Sequence, residues 1–424
     1  MFVGVSVTFP RKFVSPLGFL GMLTFVTFLL LGVTGALLML YFEPTLTGAF
    51  DSVELIAEEI PFGNFLRNIH YHSSNAMIFL ALIHMYYNFF SGRFKLKNEF
   101  LWVTGILLGT LTILEAFTGY DLIFNERAVL AISIGVSLNA AAPFLGPTLA
   151  GVMMGTGFGD VILRFYAFHV FIVPLLMVII MFIHFPRYLV LDLPIIMATI
   201  GGMVIVGGLV PVPLGIKFEP LAAPGITVPE WYLTGLYAFI RTGVDKFVSG
   251  VIIPTLFILM FMVVPFLDKS KSLSWKDRPF WTALGITSVV QILVTTFWGF
   301  FIPNTGTLTK RLFIEPLSFY GILIIIPIVT YGATYGFLRW VKSREAGKPR
   351  RRATPGKPIS IPRKWVYTIL VSLVLFQVGL NSLVYQAFFV GFENLILFEV
   401  GLILLAFSVV LHLYRLGTQS KLPS

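Results

Sequence analysis

Long apolar runs, interrupted at short intervals by polar or basic clusters, set the pattern of this chain. Ten of them are long enough to cross a bilayer: 17–42, 73–91, 100–120, 162–185, 194–212, 250–267, 281–303, 317–340, 365–388 and 393–414. Runs of about twenty apolar residues predict helices, which satisfy their own backbone groups where no water is available. The expected class is therefore all-α, a polytopic membrane protein of about ten transmembrane helices. Composition agrees, with 57% hydrophobic and only 12% charged residues among 424 and a mean hydropathy of +0.89. No soluble domain has this balance.

Against that background the histidines stand out. There are only six, and an ionisable side chain inside a span is a candidate functional group by default. His70 and His84 are fourteen positions apart on one predicted helix, and His169 and His184 are fifteen apart on another. At about 100° per residue fourteen steps make nearly four turns, so both imidazoles of a pair leave from one face. At about 1.5 Å per residue they lie roughly 21 Å apart, one near each side of the hydrocarbon layer. Two such helices offer four ligands at two matched depths, the geometry of two bis-histidine haems. The alternative is a set of satisfied polar contacts or a proton relay. His72 points away from the paired face and is read as structural, and His412 carries no signal.

Glycine repeats the period. Gly21 and Gly35 are fourteen apart in the first helix, and Gly105 and Gly119 are fourteen apart in the third. Glycine lets membrane helices approach closely, and two flat macrocycles stacked about 20 Å apart would need bare backbone at those two depths. Together the residues describe a four-helix bundle with cofactors in its core.

Charge adds orientation. Arg11, Lys12, Arg93, Lys95, Lys97, Arg187, the stretches 269–278 and 339–364, Arg415 and Lys421 hold most of the 30 basic residues. The positive-inside rule places them, and both termini, in the cytoplasm. The net charge of +10 thus belongs to loops that meet anionic lipid, with Arg350, Arg351 and Arg352 as a topology anchor or a partner's docking site, and no nucleic acid is implied. Absence of cysteine excludes disulfides, thiolate metal sites and thioether-bound haem. Met1 to Lys12 shows no cleavable signal pattern. The expected domains are 1–191, 192–341, a basic linker 342–364 and an extra helix pair 365–424.

These residues resemble a known family, cytochrome b of the bc-type quinol oxidoreductases. The resemblance is carried by Thr34-Gly35 through Tyr41-Phe42-Glu43-Pro44-Thr45, Leu66-Arg67-Asn68-Ile69-His70, Ser91-Gly92-Arg93-Phe94-Lys95, Trp102-Val103-Thr104-Gly105, Thr118-Gly119-Tyr120 and Arg164-Phe165-Tyr166-Ala167-Phe168-His169. It covers about residues 16 to 340. The fifteen-step spacing resembles the chloroplast and Gram-positive branch more than the mitochondrial one. The resemblance implies two non-covalent b haems, a low-potential outer one on His70 and His169 and a high-potential inner one on His84 and His184. Arg67 and Arg164 become candidates for haem propionates, or else plain snorkelling arginines. A homodimer in the plasma membrane of a prokaryote is also implied, with a Rieske iron–sulfur partner, a cytochrome c-type or other electron-accepting subunit, and quinone.

Behind the bundle the resemblance adds Pro229-Glu230-Trp231-Tyr232, the tetrapeptide that lines the family's outer quinol site. The chemistry suits the place, because a quinol losing two electrons also loses two protons and a carboxylate beside aromatic walls can accept one. Glu230 is the candidate acceptor, and Tyr232 either bonds the quinol or forms the wall. Residues 121–160 form the outer loop, with 137–155 resembling the pair of short helices over that pocket. Departures are visible too. Tyr71 and Tyr87 stand where relatives carry arginine, Leu122-Ile123-Phe124-Asn125 replaces Leu-Pro-Trp-Asp, and Phe19 stands where some relatives attach a third haem. Glu115, an intramembrane carboxylate, is either protonated and hydrogen-bonded or part of a proton path. Asp192 and Arg187 are candidates for an inner quinone site. The last two helices are expected to meet lipid or another subunit. Two other classes compete, a di-haem membrane anchor of a dehydrogenase and a haem-free proton-coupled transporter.

Overall fold

The structure, a computed structural model, describes residues 4–6, 16–96, 99–185, 188–221, 227–301, 314–345 and 363–419. In these the chain is almost wholly helical. The first half comprises α1 (Leu20–Met39), α2 (Gly48–Glu58), α3 (Gly63–Phe90), α4 (Glu99–Asp121), α5 (Glu126–Ala140), α6 (Gly146–Met154), α7 (Phe158–Ala167) and α8 (Val173–His184). Then come α9 (Leu193–Leu209), α10 (Trp231–Ile240), α11 (Ile253–Met262), α12 (Val264–Leu267), α13 (Pro279–Phe300), α14 (Pro316–Glu345), α15 (Arg363–Val390) and α16 (Glu393–Gln419). One parallel strand pair, β1 (Gly4–Ser6) with β2 (Tyr188–Val190), joins the N-terminal segment to the residues after α8. Arg187 and most of the 342–364 linker, including Arg350 to Arg352, lie outside the described residues.

Among the described residues, seven helices are long and apolar enough to span a membrane. The expected spans 194–212 and 250–267 become shorter apolar helices, Leu193–Leu209 and Val248–Met262. The expected span 73–91 is the second part of α3, a helix of 28 residues. It is not among the seven because the polar residues of this helix, Arg67, His70, His72, His84 and four asparagines among them, lower its apolarity. Polar residues in a span belong inside a bundle, which is where α3 lies, packed between α1 and α4.

The four-helix core is α1, α3, α4 and the continuous α7–α8. Its middle layer holds Met77, Val173, Met177 and Met181, flanked by Phe25, Phe28, Leu31, Leu108 and Leu111. This layer separates the two histidine depths. The fourth helix is not regular. Between α7 and α8 the chain makes a π turn over Phe168–Ile172, where the Val173 N–H donates to the Phe168 carbonyl five residues back. Pro174 follows at once. It has no N–H for the residue four back, and its ring would clash with that carbonyl, so the turn widens by one residue. The same device recurs at Val248–Ile252, just ahead of Pro254. The widened turn explains the fifteen-step spacing, because one residue is absorbed at His169 and the helix below stays in phase.

Loop helices α5 and α6 follow α4, with Asn125 capping α5 by accepting from the Ala128 N–H at 2.9 Å. The first of the pair thus starts at Glu126, earlier than the sequence suggested. They rest on Ala49, Leu122, Phe124, Val129, Ile132, Val161, Ile162 and Phe165. α9 packs on α3, where Asn68 donates to the Gly207 carbonyl and accepts from the Val212 N–H, both at 3.2 Å.

The last two helices dock on this chain itself and leave most of α15 exposed. α16 lies along this chain's own α9, and α15 packs on α16. The approach is close at Gly201, where a Cβ would come within 2.9 Å of the Gly401 carbonyl oxygen. Polar ties hold both ends, with the Phe62 N–H donating to Glu393 at 3.2 Å and the Ser408 hydroxyl to the Pro194 carbonyl at 2.6 Å. Small residues facing small residues are the usual basis of helix docking in lipid, where the hydrophobic effect between helices is absent.

Candidate haem and quinol sites

Each paired histidine meets one of the paired glycines. A Cβ on Gly35 would sit 3.1 Å from Cε1 of His70, one on Gly21 3.1 Å from Cε1 of His84, and one on Gly105 2.9 Å from Cε1 of His184. A Cβ on Gly119 would overlap the His169 ring. The glycines therefore make room first of all for the imidazoles. α1 receives the two rings of α3, and α4 receives the two rings of the fourth helix. That differs from the sequence argument, in which bare backbone was needed for the macrocycles, and it accounts for the shared period more directly.

Threonines next to these glycines fix the rings. Thr34 Oγ1 is 2.9 Å from His70 Nδ1, Thr104 Oγ1 is 3.1 Å from His184 Nδ1, and Thr118 Oγ1 is 3.5 Å from His169 Nδ1. Each hydroxyl already donates its one proton to a carbonyl a turn earlier, Leu30, Phe100 or Leu114. It can only accept from the histidine, so Nδ1 carries the ring proton and Nε2 keeps its lone pair. Such a partner on the far nitrogen orients a metal-ligating histidine and raises its basicity. At His84 the neighbour is Asn88, whose amide donates to the His84 carbonyl at 2.8 Å.

The residues fit a haem. The His70 and His169 ring centres are 6.3 Å apart, the separation expected of two metal–imidazole bonds of about 2.0 Å plus the depth of each ring. His70, His169, His84 and His184 would hold two such groups at two depths, and one-electron transfer is the chemistry they would supply. Arg67 is buried and donates to the Val212 and Pro213 carbonyls at 2.6 and 3.0 Å. Arg164 reaches the Val152 carbonyl at 2.5 Å and lies 3.9 Å from Asp160. His72 bonds the Val210 carbonyl at 2.8 Å.

At the His70–His169 end a second cluster forms. Glu230 stands immediately before α10, its side chain making no bond to the helix amides, and is 7% exposed. The Tyr71 hydroxyl lies 3.0 and 3.2 Å from its two oxygens, and Arg127 forms an ion pair with it. Trp231 Nε1 donates to Asn75 at 2.6 Å, which fixes the start of α10 against α3. Tyr120 and Tyr232 each lie within electrostatic reach of both Glu230 and Asp121. Asp121 is 1% exposed, and neither carboxyl oxygen has a partner among the described residues. Burial lowers the proton affinity of Arg127, but Glu230 more than restores it and holds the guanidinium above its ordinary value.

Arg127 and Asp121 were not singled out from the sequence. A signal existed for each. Arg127 stands in the first turn of α5, where the helix dipole disfavours a cation unless a carboxylate faces it. Asp121 ends a membrane span, the same warning that marked Glu115. At the opposite end Asp192 is buried and caps α9, accepting from the Ile195 N–H at 3.2 Å.

Comparison with known proteins points to one family. The family described as cytochrome b/b6/petB matches residues 6–190, and cytochrome b(C-terminal)/b6/petD matches residues 217–315. A cytochrome bc complex cytochrome b subunit from Chlorobaculum thiosulfatiphilum is 30% identical over 315 residues, covering 66% of this chain and 72% of the relative. Cytochrome b6 of Porphyra purpurea is 36% identical over 171 residues, 39% of this chain and 78% of that one. In fold, the chain is similar to one from a structure titled hyperthermophilic respiratory Complex III, with a TM-score of 0.56 at 24% identity over 76% of this chain and 93% of the other. With its two histidine pairs, their facing glycines and matches at both ends of the family's length, the chain belongs to the cytochrome b/b6 family, as a cytochrome b subunit of a bc-type complex.

Proposed function

We propose that the protein oxidises quinol at the His70–His169 end, taken as the outer face, and reduces quinone at the His84–His184 end. The supporting observation is one junction. Tyr71 follows the ligand His70 directly in sequence and hydrogen-bonds Glu230, so the electron-accepting and proton-accepting groups share one place. When bound, two b haems supply one-electron acceptors at two depths, low-potential outside and high-potential inside. Of the two electrons of a quinol in the pocket, one would go to a Rieske-type iron–sulfur partner; the groups that His70 with His169 and His84 with His184 would hold would supply one-electron carriage of the other towards quinone at the inner face. Glu230 takes a quinol proton, exchanging its bond to Arg127 for one to the substrate, and releases it outward. Tyr232 and Tyr120 wall the pocket, and the α5–α6 pair covers it. The partners would be the Rieske protein, a cytochrome c-type or other electron acceptor, and a second copy of this chain. On this reading the basic loops and both termini lie in the cytoplasm, by the positive-inside rule, and the membrane is that of a prokaryotic cell.

Glu230→Gln tests the reading. It keeps shape and a hydrogen-bond acceptor but cannot take a proton. Positioned proton transfer contributes about 10²- to 10⁴-fold, so quinol-driven reduction of the haems should slow at least tenfold, with haem content unchanged. Equal rates in stopped-flow spectra of variant and wild type would remove Glu230 from the mechanism.

A further inference from the structure

α16 lies beyond the residues that match the family, 6–190 and 217–315. At its far end it closes a cavity of about 510 Å³ against α9 and α1. The lining includes Leu23 of α1, Ile195, Ala198 and Thr199 of α9, and Ser408 and His412 of α16. Its depth is that of the His84–His184 pair. Leu23 follows by two residues Gly21, whose Cβ would touch the His84 ring, and two residues turn a helix by about 200°. The cavity therefore lies across α1 from His84, one helix width away. Its walls are mostly apolar, and its size falls in the range of small-molecule sites, about 300–1,000 Å³. Among the described residues the lining has three polar side chains. Two have spent their proton, Thr199 on the Ile195 carbonyl at 2.8 Å and Ser408 on the Pro194 carbonyl at 2.6 Å, but both hydroxyls can still accept. The third is His412, and an imidazole carries an N–H whether neutral or charged.

We propose that this cavity binds the headgroup of a quinone, with His412 donating its N–H to a quinone carbonyl and the Thr199 and Ser408 hydroxyls accepting from the quinol form. It rests on the function proposed above, which needs a quinone beside the His84–His184 pair. A quinone ring is flat and apolar, and its two carbonyls only accept, so its site needs a donor set in apolar walls. A lipid acyl chain would fill the same walls but has no use for a donor. An ionisable side chain inside a span is costly and marks a function by default, and His412 lies within the span Glu393–Tyr414. The assignment gives the C-terminal hairpin a task. Close packing at Gly201 and Gly401 and the Ser408 bond to Pro194 hold α16 on α9, and His412 is thereby carried to the wall of the cavity.

The probe is a photoreactive azidonaphthoquinone, irradiated with the purified full-length protein, with labelled residues mapped by mass spectrometry and haem quantified per chain. The expected result is label on residues 194–199 and 408–413 that excess unlabelled quinone removes and excess phospholipid does not. His412→Leu should weaken the competing quinone about tenfold at these segments, the effect of one lost hydrogen bond, with haem content and Tm unchanged. His412→Gln keeps an N–H donor and should compete like the wild type, a rescue that a purely structural role for the ring would not give. Label confined to other segments, label that phospholipid displaces, or equal competition in wild type and His412→Leu overturns the proposal. Should the leucine variant fail to fold, Ala198→Phe, which fills the cavity from α9, is read in its place, and undiminished label there overturns it too. A wild-type chain without two haems would instead sink the functional reading itself, whereas two haems with these segments unlabelled would sink the quinone cavity alone.

Discussion

On the two-haem function proposed above, replacing His169 by leucine is expected to reduce the haem content from two per chain to one. His169 and His70 face each other at the spacing of a shared metal, and loss of either ring leaves one axial nitrogen. The remaining His70 stays oriented by Thr34, but orientation cannot replace a bond. Perturbing a partner behind a ligand already costs about 10- to 100-fold in metal affinity, so removing the ligand itself costs more. Gly119→Leu should produce the same loss without touching a ligand, because its first side-chain carbon would occupy the place of the His169 ring. Gly109→Ala is the control. It lies on the same helix with nothing within 4 Å of an added Cβ, and it should keep both haems. Reduced-minus-oxidised spectra with haem quantitation decide this. Two full haems in His169→Leu would mean that the ring is no ligand.

The bundle was legible because its signals are local and periodic. A span reads as a run, and a cofactor depth reads as a fourteen-residue interval carried by two residue types at once. The π turn was not legible as such. The sequence shows Pro174 and an interval of fifteen, but the widened turn that reconciles them appears only in the backbone. The quinol-site cluster was legible in part. Pro229-Glu230-Trp231-Tyr232 is a contiguous string, whereas Tyr71 and Arg127 reach Glu230 across 159 and 103 positions, a separation that no periodicity encodes. The arginines show the same limit. Arg67 reads as a charge awaiting an anion, yet here its guanidinium binds backbone carbonyls 145 and 146 positions away. Docking of α16 on α9 also depends on distant glycines, and glycine is too common in membrane helices for Gly201 and Gly401 to announce each other.

Arg278→Met is expected to cost about 3–5 kcal/mol of stability, the usual effect of breaking a buried ion pair from one side. Arg278 is 2% exposed and lies at the end of the molecule opposite the quinol cluster. It bonds Asp268 at 3.1 Å and donates to the Phe89 and Phe90 carbonyls, each at 2.8 Å. Those carbonyls end α3, so one guanidinium neutralises a buried carboxylate and also satisfies a helix terminus. Methionine fills the space but removes the guanidinium from both carbonyls, leaving Phe89 the Gly92 N–H at 3.3 Å, and leaves Asp268 with Lys95 at 2.8 Å and Ser270. The same triad sets an acid limit. Burial pushes the Asp268 carboxyl up, but the bonds from Lys95, Ser270 and Arg278 outweigh it and hold the group below the ordinary aspartate value of 3.8. A carboxylate depressed on folding contributes fully above its unfolded value and loses that contribution as pH falls through its folded one. This part of the stability should therefore be constant from neutrality to about pH 4 and fall below it. In Arg278→Met the depression is smaller, so the acid-dependent part should shrink. Thermal unfolding of the detergent-solubilised protein between pH 3 and 7 checks both. Equal midpoints for variant and wild type at pH 7 would show that the triad does not hold α3 to the 268–278 loop.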